Sequence, residues 1–286
     1  PSRNADHTLN FQLTEREPAR GIVVELRAAT DGRVLATATT DADGDYAADI
    51  AGTSFTVRAR AELRRAGSGG FGFTVRDNTA DRALYTLDSA VVTPAGGAVT
   101  VDLHAPTGWD GAGYGATRAA APFAILATIW RGVTLLQQTE PGLTLPAFDL
   151  YWSPRNRGEE PAGECAGRVD PPSGRLGSTF FNATSQPASQ GCAAVPAGIY
   201  LLGDADGTLD DDADEFDESV IAHELGHYYE ALLARSDSVG GPHTLLSVLD
   251  PRVALSEGFG NAFQGLVLGD RVYRDALGST GNRVFF

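Results

Sequence analysis

Two histidines four residues apart, with a glutamate directly after the first, make His223-Glu224-Leu225-Gly226-His227 the most constrained stretch of this chain. Side chains four apart on a helix stand on one face about 6 Å from each other, so both imidazoles can reach a single metal ion. Glu224 then stands where its carboxylate can take a proton from a water at that ion. The surrounding residues agree with a helix over Ser219–Arg235. Val220, Ile221, Leu225, Tyr228, Leu232 and Leu233 recur at three- and four-residue spacing and form an apolar stripe with the histidines beside it. Asp214, Glu215, Asp217 and Glu218 crowd its start, where negative charge suits the helix dipole. Gly226 costs about 1 kcal/mol in a helix interior. It is expected to let a neighbouring strand or a substrate come close.

A catalytic zinc ion takes three protein ligands and keeps one position open. The metzincin continuation, a third histidine soon after His227 and a later methionine turn, is excluded, because no histidine stands at that place and the chain has no methionine. Asp237 lies in a segment without helical support. Glu257 has better surroundings. Asp250 reads as an N-cap and Pro251 as the first residue of a second helix, with Val253, Leu255, Phe259, Ala262, Phe263 and Leu266 apolar. Asn261 lies one turn after Glu257 and is expected to hydrogen-bond a ligand histidine and fix its tautomer.

This order, HExxH followed by a glutamate on a second helix, resembles the gluzincin metallopeptidases. Ser256-Glu257-Gly258-Phe259 is similar to the stretch that carries the third zinc ligand in several aminopeptidases of that clan. The resemblance implies His223, His227 and Glu257 as zinc ligands and Glu224 as general base. It covers residues 199–268. The 29 residues between His227 and Glu257 exceed the spacing of the best-known members. The excess is a polar, glycine-rich loop over 234–243. His243, on that loop, is expected to stabilise the oxyanion at the attacked carbonyl. Tyr228, Tyr229 and Tyr273 are weaker alternatives, with Tyr228 expected in the core.

Before the first helix, residues 203–215 are dense in carboxylates. Asp204, Asp206, Asp210 and Asp212 are candidate calcium ligands. An EF-hand register fails, because Leu209 stands where a glycine is required. A solvated acidic loop is the simpler alternative.

A net charge of −15 argues against nucleic acid and anionic membrane surfaces as partners, leaving a peptide or protein substrate. All 22 basic residues are arginine, a usage expected of a GC-rich bacterial genome. No apolar run reaches membrane-spanning length. The chain has no starting methionine and no signal peptide, so a processed or trimmed form is expected. It closes on apolar Val284-Phe285-Phe286, so a catalytic domain extending further is expected too. Cys165 and Cys192 lie in a Pro-, Gly- and Ser-rich stretch. A disulfide between them would pin it, which fits a secreted or cell-surface protein.

Three segments are expected: an all-β sandwich over 1–104, a Gly-rich linker over 105–118 and an α+β zincin-like catalytic domain over 119–286. The sandwich rests on short runs at Ile22–Ala28, Val34–Thr39, Phe55–Leu63, Gly70–Val75, Ala83–Leu87 and Ala98–Leu103, with turns at Asp31-Gly32 and Asp41–Asp45. Residues 21–26 and 39–46 resemble the carboxypeptidase regulatory-like (transthyretin-like) module, which implies an accessory domain without catalysis. The later domain is expected to hold a helix over Thr117–Gln138 and strands at Phe148–Trp152 and Ile199–Leu202. The reading that follows is a secreted zinc metallopeptidase. A surface or adhesion protein with a structural metal site, and a masked proenzyme, are the alternatives.

Overall fold

The computed structural model describes residues 15–110, 114, 117–161, 165–166, 168–189, 191–203, 212–241, 243 and 247–275, and the backbone of 2–3, 9–10 and 283–284. Among the described residues it is a β-rich α+β fold built on one mixed sheet of nine strands, with three α-helices. Two short pairs stand apart from that sheet: β1 (Ser2–Arg3) with β2 (Leu9–Asn10), and β12 (Arg274–Asp275) with β13 (Arg283–Val284).

The sheet begins with an antiparallel hairpin, β3 (Ile22–Ala28) and β4 (Val34–Thr39), at the expected bounds. Its turn needs a residue at positive φ, and Gly32 supplies it at 70°. β5 (Phe55–Arg65) shows why strand periodicity is legible. Phe55, Val57, Ala59, Ala61 and Leu63 are buried on one face. The other face carries Arg58 and Arg60, paired with Asp88, Glu62 and Glu25 at 2.6–2.9 Å. β6 (Phe71–Asp77), β7 (Ala83–Leu84) and β8 (Thr86–Asp88) follow, with β7 on β6 and β8 on β5.

The sheet does not stop at the glycine-rich segment. β6 pairs in parallel with β9 (Ala147–Trp152), from Gly72↔Ala147 to Arg76↔Tyr151. β9 in turn pairs in parallel with β11 (Gly198–Leu201), which carries the edge strand β10 (Phe180–Asn182). Strands on either side of residues 105–118 thus share one sheet. Of the expected strands, Ala98–Leu103 is not one. Val101 and Leu103 dock on Val24, Leu26, Phe55 and Val57, and the Tyr46 hydroxyl donates to the Val101 carbonyl at 2.6 Å, but the backbone makes no ladder among the described residues.

The second half of β9 and all of β11 are buried on both faces. Leu150, Trp152, Ile199 and Leu201 face the helices, while Tyr151, Tyr200 and Leu202 face a cover made from residues 169–195. Tyr200 stacks on Tyr151 at 4.7 Å and on Phe180 at 4.9 Å. The Cys165–Cys192 disulfide is formed as expected, closing a 27-residue separation across that cover. Closing a loop of this size contributes about 3–4 kcal/mol in the chain-entropy account. Among the described residues no helix is long and apolar enough to cross a membrane.

Three helices complete the fold: α1 (Ala121–Thr139), α2 (Glu218–Leu233) and α3 (Pro251–Leu268). α1 lays Ile125, Leu126, Ile129 and Val133 on the sheet, a 3–4 spacing. α2 meets α1 where Gly132 faces Leu225; a methyl on Gly132 would lie 2.4 Å from the Leu225 Cδ2. α2 also reaches the sheet through Tyr228, whose ring lies edge-on to Phe73 at 5.9 Å. α3 starts as its sequence predicts. The Asp250 side chain accepts from the Arg252 backbone N–H, Pro251 opens the helix and Gly269 closes it at φ 62°.

Phe73 is fully buried and links the central sheet to α2. Phe73→Ala is expected to cost about 3–5 kcal/mol of unfolding free energy. Urea unfolding followed by circular dichroism measures it, and a loss below about 1 kcal/mol would mean the α2–sheet contact matters little.

Candidate metal centre

α2 and α3 come unusually close, and two glycines permit it. A methyl on Gly226 would stand 3.1 Å from the Gly260 Cα, and one on Gly260 would stand 2.8–3.0 Å from the His223 ring. The neighbour that Gly226 admits is therefore a helix, where the sequence suggested a strand or a substrate. The approach sets Glu257 and Asn261 of α3 opposite His223 and His227 of α2.

Three ligand atoms converge there. His223 Nε2 lies 3.0 Å from His227 Nε2 and 3.1 Å from Glu257 Oε2, and His227 Nε2 lies 3.6 Å from Glu257 Oε1. A tetrahedral zinc ion with ~2.0–2.1 Å bonds spaces its ligand atoms about 3.3 Å apart. The observed separations bracket that value, so the set fits such an ion.

The hydrogen bonds behind the rings fix their tautomers. His223 Nδ1 faces the Asn261 side-chain oxygen at 3.0 Å and therefore donates to it. Ser256 donates its hydroxyl proton to Glu230 at 2.5 Å, so at 3.2 Å it accepts from His227 Nδ1. Both rings then carry their proton on Nδ1 and turn a bare Nε2 lone pair toward the Glu257 carboxylate. Three acceptors facing one point repel unless a cation or a proton sits between them. Asn261 was expected in this role. Ser256 and Glu230 were not assigned one; the sequence signal was there, Glu230 lying three residues after His227 and Ser256 just before Glu257.

Charge follows the same geometry. Burial raises the Glu257 carboxyl, but the two imidazoles, when protonated on Nε2 as well, donate to it and outweigh burial, holding the group far below the usual carboxylate range. Burial lowers His227, while the hydrogen bond to Glu257 and the charges of Glu224, Glu257 and Glu230 carry it above its ordinary value. The raised His227 reflects the carboxylates around it, and the lowered Glu257 reflects the two imidazoles it faces.

Glu224 is 8% exposed and its carboxylate has no hydrogen-bond partner among the described residues. His243 reaches the centre from the connecting loop, its Nε2 3.3 Å from Glu257 Oε2. Tyr273, just before β12, sets its ring edge-on to His223 at 6.0 Å. Burial first, then the charges of Asp275, Asp214, Glu224 and Asp217, push its hydroxyl well above its ordinary value, so it stays a proton donor at neutral pH. Tyr228 packs on Phe73 and Phe148, as expected, and Tyr229 packs on Phe263. Asp237 pairs with Arg235 at 2.9 Å and is not among the ligands that converge. A cavity of about 850 Å³ lies between Phe123, Arg131, Phe216 and Glu218, but none of the converging ligands lines it.

Of the candidate calcium ligands, Asp204, Asp206 and Asp210 lie outside the described residues. Asp212 is brought together with Asp214 and Asp275, which the sequence did not group with it.

Comparison with protein families, with curated proteins and with solved structures finds no match to this chain.

If Ser256 orients His227, then Ser256→Ala is expected to weaken zinc affinity about 10–100-fold with the fold retained. Competition against a chromogenic chelator measures this, and an unchanged affinity would remove Ser256 from the centre.

Proposed function

We propose that this chain is a secreted zinc-dependent metallopeptidase of gluzincin type, with His223, His227 and Glu257 as metal ligands and Glu224 as general base. The observation that carries the reading is the convergence of two tautomer-fixed imidazoles and one carboxylate, with the buried Glu224 next to the first ligand in the chain. Two nitrogens and one oxygen are a catalytic zinc donor set. A bound zinc ion would supply Lewis acidity toward a carbonyl oxygen and toward water.

The chain's own residues would do the rest. Glu224 accepts a proton from the attacking water and returns it to the departing amine nitrogen, so one carboxylate serves as base and then acid. Such a group must be close, partly desolvated and uncommitted, and Glu224 is buried and uncommitted among the described residues. A structural metal staple has no use for such a carboxylate, which favours hydrolysis over the adhesion reading. His243, near Glu257, and Tyr273, near His223, are our candidates to donate a hydrogen bond to the oxygen of an attacked carbonyl. The disulfide supports an oxidising, extracytoplasmic setting. The acidic charge supports a peptide substrate over nucleic acid.

Elemental analysis paired with casein cleavage tests the proposal. The wild type is expected to carry about one zinc per chain and to cleave. Glu224→Gln is expected to keep the zinc and lose about 10²–10⁴-fold of the activity. Glu257→Ala is expected to lose the metal. Undiminished cleavage by Glu224→Gln would sink the assignment of the base, and full zinc in Glu257→Ala would sink that of the third ligand.

Tyr273→Phe and His243→Ala separate the two candidate donors. Loss of one donor to an oxyanion costs about 10²–10³-fold in kcat. That loss, with zinc content and KM little changed, is expected for whichever residue serves. If neither variant loses kcat, the oxyanion is stabilised by another group.

A further inference from the structure

A second group of acidic side chains lies apart from the ligands of the proposed zinc centre. Asp212 and Asp214 come from the chain just before α2, and Asp275 from β12, which follows α3. Each offers a carboxylate oxygen within 4.8 Å of the others. Asp214 is 2% exposed. One of its oxygens accepts from the Thr179 hydroxyl, and the other, Oδ1, is buried with no hydrogen-bond partner among the described residues.

The neighbouring residue shows how this protein handles a buried carboxylate when no ion is involved. Glu215 is completely buried and receives Arg118 at 2.6 Å and the Trp152 indole N–H at 3.3 Å. Among the described residues no arginine is bonded to Asp214. The charges that act on it most are those of Asp212, Asp275 and Asp217, all negative, and together with burial they push its carboxyl well above the usual range. A buried anion among anions costs several kcal/mol unless a cation or a proton compensates it.

We infer that Asp212, Asp214 and Asp275 bind a hard divalent cation of the calcium class. The donor set is oxygen alone, which suits calcium and does not suit zinc. Three carboxylates supply the charge, and calcium's remaining coordination positions are open to water and backbone carbonyls. The isolated bridge Gly203↔Ala213 and the Asp214 N–H bond to the Leu202 carbonyl at 3.2 Å hold the near side of the site against β11. An ion there ties the chain entering α2 to the chain leaving α3. Tyr273, two residues before Asp275, is thereby held against His223. The site shares no ligand with the zinc centre, so the inference stands whether or not the chain is a peptidase.

The test is isothermal titration of the full chain with calcium chloride after dialysis against EGTA, with Tm and zinc content measured in parallel. One calcium per chain is expected, with a Tm rise of several degrees. Asp275→Asn and Asp212→Asn, each checked for fold by circular dichroism, are expected to bind calcium at least about tenfold more weakly, with zinc content unchanged. Absence of any calcium heat or Tm shift in the wild type overturns the inference without any variant. Calcium bound equally well by both folded variants overturns it too, because the ion then sits elsewhere, as in the acidic run before Asp212. A wild type that binds calcium but takes up no zinc on titration with zinc chloride would count against the peptidase reading alone.

Discussion

The close crossing of α2 and α3 is the constraint on which the proposed site depends. Glycine within a helix costs about 1 kcal/mol relative to alanine, so Gly226 and Gly260 together forgo about 2 kcal/mol of helix propensity. What they permit is a backbone approach so tight that any Cβ at 260 would collide with the His223 ring. Without that approach Glu257 and Asn261 could not stand opposite both histidines. The same crossing sets Ser256 against His227 and Glu230, and so fixes the second tautomer. Ligands, their proton placement and the helix packing are thus one arrangement and cannot be altered separately.

That arrangement needs a rigid floor, and the sheet provides it. α2 rests on Phe73 and Phe148 through Tyr228 and on α1 through Leu225 and Gly132. Phe73 belongs to β6 and Phe148 to β9, the parallel pair that joins the early strands to the late ones. The early strands therefore help carry the helix that bears the histidines. An accessory module hung on a linker would not do this. The start of α2 is fixed separately, by Arg131 donating to Glu218 at 2.5 Å and by the buried Arg118–Glu215 pair. Removing one partner of a buried pair typically costs about 3–5 kcal/mol, far more than a surface pair contributes.

Much of this was legible in the sequence because it is local. The i,i+4 histidines, the apolar stripe of α2 and the cap-and-proline start of α3 each depend on residues within a turn or two. The same holds for the β3–β4 hairpin, whose Asp31-Gly32 turn sits where the pattern put it. Glu257 and Asn261 were legible because their helix was, and His243 because it lies on the loop between the two helices. What was not legible is non-local. The parallel pairing of β6 with β9 joins residues 75 apart, as in Thr74↔Asp149. Nothing in the alternation of either strand names its partner. The stretch 98–103 alternates like a strand, yet its core-facing Val101 and Leu103 are satisfied by docking alone. Asp275 lies 63 positions after Asp212 and has no motif around it.

The acidic balance of the chain takes its meaning from these sites. Spread over the surface, a net charge of −15 would only favour solubility and repel other anions. Here several carboxylates are drawn inward, and their surroundings differ. Glu215 has an internal arginine. Glu230 takes the Ser256 proton and acts on His227 at 3.8 Å. Glu257 faces two imidazoles, and Asp214 faces other carboxylates. Glu224, beside them, makes no pairing among the described residues. A proton can neutralise any one of these groups only by giving up the negative charge that the geometry assembles, whereas a metal ion neutralises it and keeps the ligands in place. The fold therefore gathers its excess of acid into two groups that could hold a cation, His223, His227 and Glu257 in one and Asp212, Asp214 and Asp275 in the other.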